Sequence, residues 1–286
     1  MKGGLMSLEK LSTILKEVDT QKTAALAFDC HNYESIAWII EAAEELGTPA
    51  IIMLHPFMLS RVSADAFTGI TNALAEKVKV PVALHLDHCD SYETILAVIK
   101  AGFTSVMIDG SRLPFEENVR VTCEVVKAAH ALGSDVEAEL GKVGIAANKS
   151  DFKTEDMYTT AEQAADFVAK TKVDALAIAI GSAHGYYVET PKLEMTRLRE
   201  INKAIDVPLV LHGGTGIPDN QLKQAFKLGI NKLNLATEYV ALFYSTVMNF
   251  QQAKNKQANL FGLMDYQKRV IMDYLLAKFK LTMPEK

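Results

Sequence analysis

The chain carries seven histidines, and four of them, His85, His88, His184 and His212, fall where short apolar runs end. A single histidine in such a place is most often packed or hydrogen-bonded. Three separate runs each delivering one to a common rim call for another explanation, because three imidazoles with an open fourth position make a catalytic Zn²⁺ site. His85 precedes His88 by three residues, and alternation along a strand sends them to opposite faces. One of the two therefore takes a second or structural role. Asp87 stands beside His88 and reads either as a turn carboxylate or as a general acid/base next to a metal. Asp109, Glu137 and Glu139 are further carboxylates on neighbouring runs.

A second signal is glycine-rich. His212-Gly213-Gly214-Thr215-Gly216 precedes a helix expected to start near Pro218, and Asn234 and Thr237 stand at the end of the next run. Glycines let backbone N–H groups approach an anion, and barrel phosphate sites use the loops after strands seven and eight. A lone G-G-x-G is weak evidence, but its position beside N-x-x-T points to phosphate. There is no G-K-[ST] phosphate loop and no dinucleotide fingerprint.

Eight runs supply the strands that must position these residues: Thr23–Cys30, Pro49–His55, Val82–His88, Ser105–Gly110, Asp135–Leu140, Ala175–Gly181, Pro208–Gly213 and Lys232–Thr237. Most are continuously apolar, as parallel strands buried on both faces are. Helical spacing lies between them at Ser35–Leu46, Tyr92–Ala101, Glu116–Leu132, Ala161–Lys172, Leu193–Ala204 and Asp219–Leu228. Gly47, Gly102, Gly133 and Gly229 follow helical runs, where a left-handed cap is needed. Eight such units predict a (β/α)8 barrel as one domain over residues 1–286, with 250–286 as a helical C-terminal extension whose pattern covers Tyr266–Lys278. Gly141–Thr160 is a long polar connection, of the kind that is functional or mobile.

Length and composition set the outer limits. The 286 residues are 49% hydrophobic and 23% charged, with 35 acidic against 30 basic residues for a net charge of -5. That excludes disorder as the main state and offers no basic footprint for nucleic acid. The longest apolar runs are too short to span a bilayer. Three cysteines make no C-x-x-C pair, and no signal segment is read at the start, so a reducing cytoplasm is expected.

Taken together the motifs resemble the class II, metal-dependent ketose-bisphosphate aldolases. The matching stretches are VALHLDHCDSYE (82–93), SVMIDGS (105–111), VEAELGKVG (136–144), AIGSAHGYY (179–187), VPLVLHGGTGIP (207–218) and NKLNLATE (231–238). The resemblance implies a (β/α)8 barrel and Zn²⁺ or another divalent metal held by His88, His184 and His212, with a monovalent cation as an optional companion. It implies Asp87 as the acid/base on the C4 hydroxyl. Gly185, Gly213, Gly214, Thr215, Asn234, Leu235, Ala236 and Thr237 match the segments that bind dihydroxyacetone phosphate. Asp109 and Glu139 match a region that sometimes holds a second metal, and an internal ion-pair network is the equal alternative. A homodimer or homotetramer acting on a small sugar phosphate is the implied assembly.

Three departures stand out. The family's first strand usually reads A-F-N, and here it is Ala27-Phe28-Asp29. Gln and Ser usually end the second strand, where this chain has Met53 and His55. The loop after strand five usually carries an acid pair, but here no acid appears until Asp151, Glu155 and Asp156. Asp29 near a phosphate requires a raised pKa or a partner such as His55. Lys142 and Lys232 are the rival nucleophiles of a Schiff-base mechanism. The alternatives to a fructose- or tagatose-type ketose are a divergent aldolase for another phosphorylated or modified sugar, and a non-catalytic sugar-phosphate-binding barrel.

Overall fold

All eight predicted runs form strands, and they close into one parallel barrel. A computed structural model describes residues 8–146, 157–253 and 259–283. In chain order the barrel strands are β1 (Ala25–Asp29), β2 (Ala50–Leu54), β3 (Val82–Cys89), β4 (Ser105–Ile108), β5 (Asp135–Leu140), β7 (Ala175–Ile178), β9 (Leu209–Leu211) and β10 (Ile230–Leu235). Around the barrel they run β1-β10-β9-β7-β5-β4-β3-β2, every pair parallel. This is the (β/α)8 architecture.

Helices α2 (Tyr33–Leu46), α3 (Ala64–Ala75), α4 (Tyr92–Lys100), α5 (Phe115–Ala131), α6 (Ala161–Thr171), α7 (Met195–Ala204), α8 (Asp219–Lys227) and α9 (Thr237–Gln252) surround it. Helix α3 lies outside the predicted helical spans. Its sequence, ADAFTGITNALA, carries Gly69 and two threonines, weak helix formers whose state is decided by packing. The C-terminal helix α10 spans Leu260–Phe279, longer at its start than the predicted Tyr266–Lys278. Asn259 extends it by capping the Gly262 N–H.

Helix α1 (Leu11–Thr20) was not expected either, and it closes the N-terminal end of the barrel. Leu11, Ile14, Leu15 and Val18 recur at three- and four-residue spacing and are wholly or almost wholly buried. They pack on Ala25, Ala27, Met53, Ala83, Ala175 and Ala177. Small inward residues leave the room that the α1 side chains fill. The Ser12 N–H donates to Asp135 Oδ2 (2.8 Å) at the first residue of β5, tying the plug to the strand starts.

The connection after β5 makes a second, two-stranded sheet. There β6 (Gly144–Ile145) pairs in parallel with β8 (Ala183–His184). The Ala146 N–H also donates to the His184 carbonyl (2.8 Å), so this connection is bound to a metal-candidate histidine.

Candidate active site

Six of the seven histidines gather at or below the C-terminal mouth, and one local irregularity decides which of them face it. On β3 the register with β4 shifts between Leu86 and Cys89, and His88 adopts φ 46°. A left-handed non-glycine residue costs about 1–3 kcal/mol. The bulge breaks the alternation that separates Asp87 from His88, so both line the same pocket, with Asp87 Oδ2 4.0 Å from His88 Nε2. His85 remains on the regular strand and faces the sealed barrel interior. Its Nδ1 lies 2.8 Å from Ser105 Oγ, and it is fully buried. The structural role thus falls to His85.

The candidate ligand atoms of His88, His184 and His212 all lie within 4.8 Å of one another. Two of the rings are held by carboxylates from behind. His88 Nδ1 donates to Asp109 Oδ2 (3.0 Å), and a carboxylate only accepts, so the proton sits on Nδ1 and Nε2 offers its lone pair. Likewise His212 Nε2 donates to Glu137 Oε1 (2.9 Å), leaving Nδ1 as the free nitrogen. That nitrogen is buried and lies 3.0 Å from Glu139 Oε2, yet neither atom is aligned in a hydrogen bond with any group. Two aligned-for-nothing polar atoms at such a depth are costly. A divalent cation bound between them would satisfy both, so the residues fit the metal that the resemblance implies. Carboxylate–histidine–metal arrangements orient ligands in this way. His88, Asp109 and Glu139 form an overlapping second trio, and because it shares His88 the two trios are alternatives for one ion or neighbours for two.

The electrostatics point the same way. Burial favours neutral His88, but Asp87 and the bond to Asp109 outweigh it and push its pKa up to about 10. Burial, with His88 and His212 beside it, drops His184 to about 3. Burial raises Asp109, but hydrogen bonds from His88 and Ser111 outweigh it and hold the carboxyl below its ordinary range. Burial and the charge of His88 lower His212, but its contacts with Glu137 and Glu139 outweigh them and raise it. The carboxylates around the cluster draw a cation, with protons on His88 and His212 as the competitors when metal is absent.

Asp87 is buried, which alone raises its pKa, yet His88, His212 and Lys232 pull it below the ordinary value. Asn234 Nδ2 donates to its Oδ1 (2.9 Å) and fixes its orientation. Asn234 thus serves the carboxylate directly. An ionised, oriented carboxylate beside a cation site is equipped to accept a proton.

Below this layer lies a buried ion pair. Lys232 Nζ is 2.8 Å from Glu137 Oε2, and neither residue is exposed to solvent. Burial raises Glu137, but Lys232 and the His212 bond reverse this and keep it ionised. Lys232 is therefore a charge partner beneath the site. It does not line the pocket, and neither does Lys142.

The glycine turn is built by close approach. Gly213 has φ 69°, and a Cβ there would collide with the Ala183 carbonyl. At Gly214 a Cβ would come within 2.8 Å of Leu233 and 2.9 Å of the Asn234 carbonyl. Tyr187 ties this turn to β8. Its hydroxyl accepts from the Ala183 N–H (2.7 Å) and donates to the Gly213 carbonyl (3.1 Å). Burial raises the phenol to about 12, so it keeps the proton that the second bond needs. Sequence reading passed over Tyr187, though its place three residues after His184 was visible. Helix α9 starts at Thr237 without a side-chain cap at Ala236; the Glu238 N–H instead donates to Thr215 Oγ1 (3.3 Å), which ties the helix start to the glycine turn, and Ala236 and Thr237 line the pocket.

Gly185, Gly213, Gly214, Thr215, Asn234, Ala236 and Thr237 line a pocket of about 1110 Å³ together with Asp29, His55, Asp87, His88, Asp109, Glu139 and His184. Leu235 is not among them, because its side chain is buried in the core behind the strand. Met53 is buried against the α1 plug and is also absent from the pocket. Asp29 does not pair with His55. Its Oδ1 has no partner, and burial followed by the charge of Asp87 raises it to about 8. His31, unassigned from sequence, lines the pocket too, its ring edge-on to Phe243. Asp151, Glu155 and Asp156 lie outside the described residues.

No helix among the described residues is long and apolar enough to cross a membrane. The chain is similar over 96% of its length, and 97% of the other's, to the YdjI aldolase of Escherichia coli K12, with 34% identity and a TM-score of 0.86. The fructose-bisphosphate aldolase (Fba) of Campylobacter jejuni shares the fold at 21% identity and a TM-score of 0.82, over 96% of this chain and 95% of that one. The family model for class II fructose-bisphosphate aldolase matches residues 9–283. With this match over nearly the whole chain, the protein is an aldolase that belongs to the class II fructose-bisphosphate aldolase family.

Proposed function

We propose that the chain is a divalent-metal-dependent aldolase. It reversibly cleaves a ketose 1,6-bisphosphate of tagatose or fructose type into dihydroxyacetone phosphate and an aldehyde phosphate. The observation that carries this reading is the clustering of three histidine ligand atoms, two of them on rings aimed by carboxylates, beside the oriented carboxylate of Asp87. A divalent cation held by His88, His184 and His212 would supply a Lewis acid that stabilises the negative charge left on the donor half. Asp87 accepts the C4 hydroxyl proton as the C3–C4 bond breaks, and returns it in the condensation direction. Gly185, Gly213, Thr215, Ala236 and Thr237 receive the donor phosphate through backbone N–H groups, while the Gly214 N–H, bonded to the Asn234 carbonyl (3.1 Å), holds the turn against β10. Asp29, protonated at neutral pH by its burial, donates a hydrogen bond there instead of repelling the anion. The proposal includes a homodimer or homotetramer working in the cytoplasm.

A divergent ketose is the second reading. It is favoured by Asp29 and His55 in the pocket, at positions where the family usually has Asn and Ser.

A coupled assay for triose-phosphate release from fructose and tagatose bisphosphates, with and without chelator, tests the reading. Chelator-sensitive cleavage of one of them is expected, and its absence for both would overturn the assignment. Asp87→Ala should keep its metal and lose at least ~10²-fold in rate. Normal turnover by that variant removes Asp87 from its role.

A further inference from the structure

Glu238 closes the stretch NKLNLATE, yet it does not line the pocket. It is the second residue of α9, and the two residues before it, Ala236 and Thr237, do line the pocket. A carboxylate in the first turn of a helix takes up the same favourable potential that an incoming anion uses. Beside a phosphate it is also a like charge.

Two groups on α10, a helix outside the eight βα units, offset that charge. Tyr274 and Lys278 stand one turn apart on α10, and both reach the Glu238 carboxylate. The Tyr274 hydroxyl donates to Oε1 (2.7 Å), and Lys278 Nζ lies 2.8 Å from the same oxygen. The ion pair is largely shielded, with the Lys278 and Glu238 side chains 16% and 21% exposed. Lys278 Nζ also sits 5.5 Å from the centre of the Tyr274 ring. That ring stacks on Tyr239 of α9 (6.2 Å between centroids, 20° between planes). Tyr239 is sealed from solvent and donates its hydroxyl to the Ser35 carbonyl of α2 (2.7 Å). On its backbone side, Glu238 donates its N–H to Thr215 Oγ1 (3.3 Å) in the glycine turn. One residue thus joins the C-terminal helix to the glycine turn.

We infer that Glu238, Tyr274 and Lys278 form a clamp that positions the donor-phosphate cradle. Through Glu238, α10 fixes the start of α9 against the glycine turn, and Lys278 neutralises a carboxylate that would otherwise repel the phosphate. All three are positioning residues, since none of them lines the pocket. The inference rests on the reading that the donor phosphate lies between the glycine turn and the start of α9. It gives the C-terminal helix a part in donor binding.

The test uses the metal-loaded enzyme and two readouts. One is the Kd of inorganic phosphate by titration calorimetry, and the other is KM and kcat for dihydroxyacetone phosphate in condensation with glyceraldehyde 3-phosphate. Lys278→Met leaves the Glu238 charge uncompensated and should raise Kd and KM roughly 10-fold while kcat stays within about 2-fold. Glu238→Gln added to Lys278→Met removes that charge and should bring both constants back to within about 3-fold of the wild type. Tyr274→Phe keeps the ring and should raise both roughly 3-fold. Lys278→Arg keeps the charge and should retain most of the affinity. An unchanged phosphate Kd in Lys278→Met overturns the clamp, and so does a loss that Glu238→Gln fails to recover, because a purely structural role would not be rescued by removing a charge. Should Lys278→Met not fold, Tyr274→Phe decides, and an unchanged Kd there overturns the clamp. A wild type that binds no phosphate removes the donor-phosphate reading and the clamp with it. A wild type that binds phosphate with the same Kd as the variants removes the clamp alone.

Discussion

The two ends of the barrel solve opposite problems. At the N-terminal end, Leu11, Ile14, Leu15 and Val18 of α1 fill the space left by a layer of alanines, and the packing is dry and apolar. At the C-terminal end, His212 Nδ1 and Glu139 Oε2 face each other at 3.0 Å without an aligned hydrogen bond, and Asp29 Oδ1 is buried without a partner. Between them, the Lys232–Glu137 pair is neither plug nor pocket, and it carries the charge of the lower layer up to His212. The contrast teaches that the unsatisfied groups are concentrated where a ligand can complete them, while the opposite end supplies stability.

The sharpest way to break this contrast is His184→Ala. It should abolish bound metal and activity together, measured by metal content and turnover, while the fold remains; activity with full metal content would remove His184 from the ligand set. Lys232→Met attacks the layer between. It leaves Glu137 as a buried charge and should lower stability by about 3–5 kcal/mol in denaturant unfolding of the metal-free protein. An unchanged midpoint would mean that His212 Nε2 (2.9 Å) and His85 Nε2 (3.7 Å) suffice to hold the Glu137 charge. Leu15→Ala works at the plug alone. A loss of about 2–5 kcal/mol is expected with turnover per folded molecule preserved, and a matching fall in kcat would show that the two ends are not separable. Tyr187→Phe removes one hydroxyl between β8 and the glycine turn. Metal affinity should fall about 10-fold, the lower end of the effect of losing an outer-shell bond, with little change in Tm; competition with a chromogenic chelator measures it.

Much of this was legible in the residues. Eight apolar runs and their intervening helical spacing specified the barrel, because parallel strands buried on both faces must be apolar throughout. Histidines on three of those runs marked the rim. Helix α1 escaped notice because it precedes the first strand and adds no βα unit to the count, although its apolar spacing is regular. Leu235 was drawn into the candidate site by its place in a motif, but on β10 its side chain points outward into the core and only its neighbours reach the pocket.

By itself the sequence determined the strand count, the order of the motifs and the residue types available at the mouth, since all three depend only on local pattern and on the rule that strand ends carry the chemistry. Tertiary structure alone decided between His85 and His88. A strand read in isolation alternates, and only the register shift against β4 turns Asp87 and His88 into one pocket. It also decided that Lys232 is sealed against Glu137. This follows from barrel closure, which brings together residues that sequence distance keeps apart.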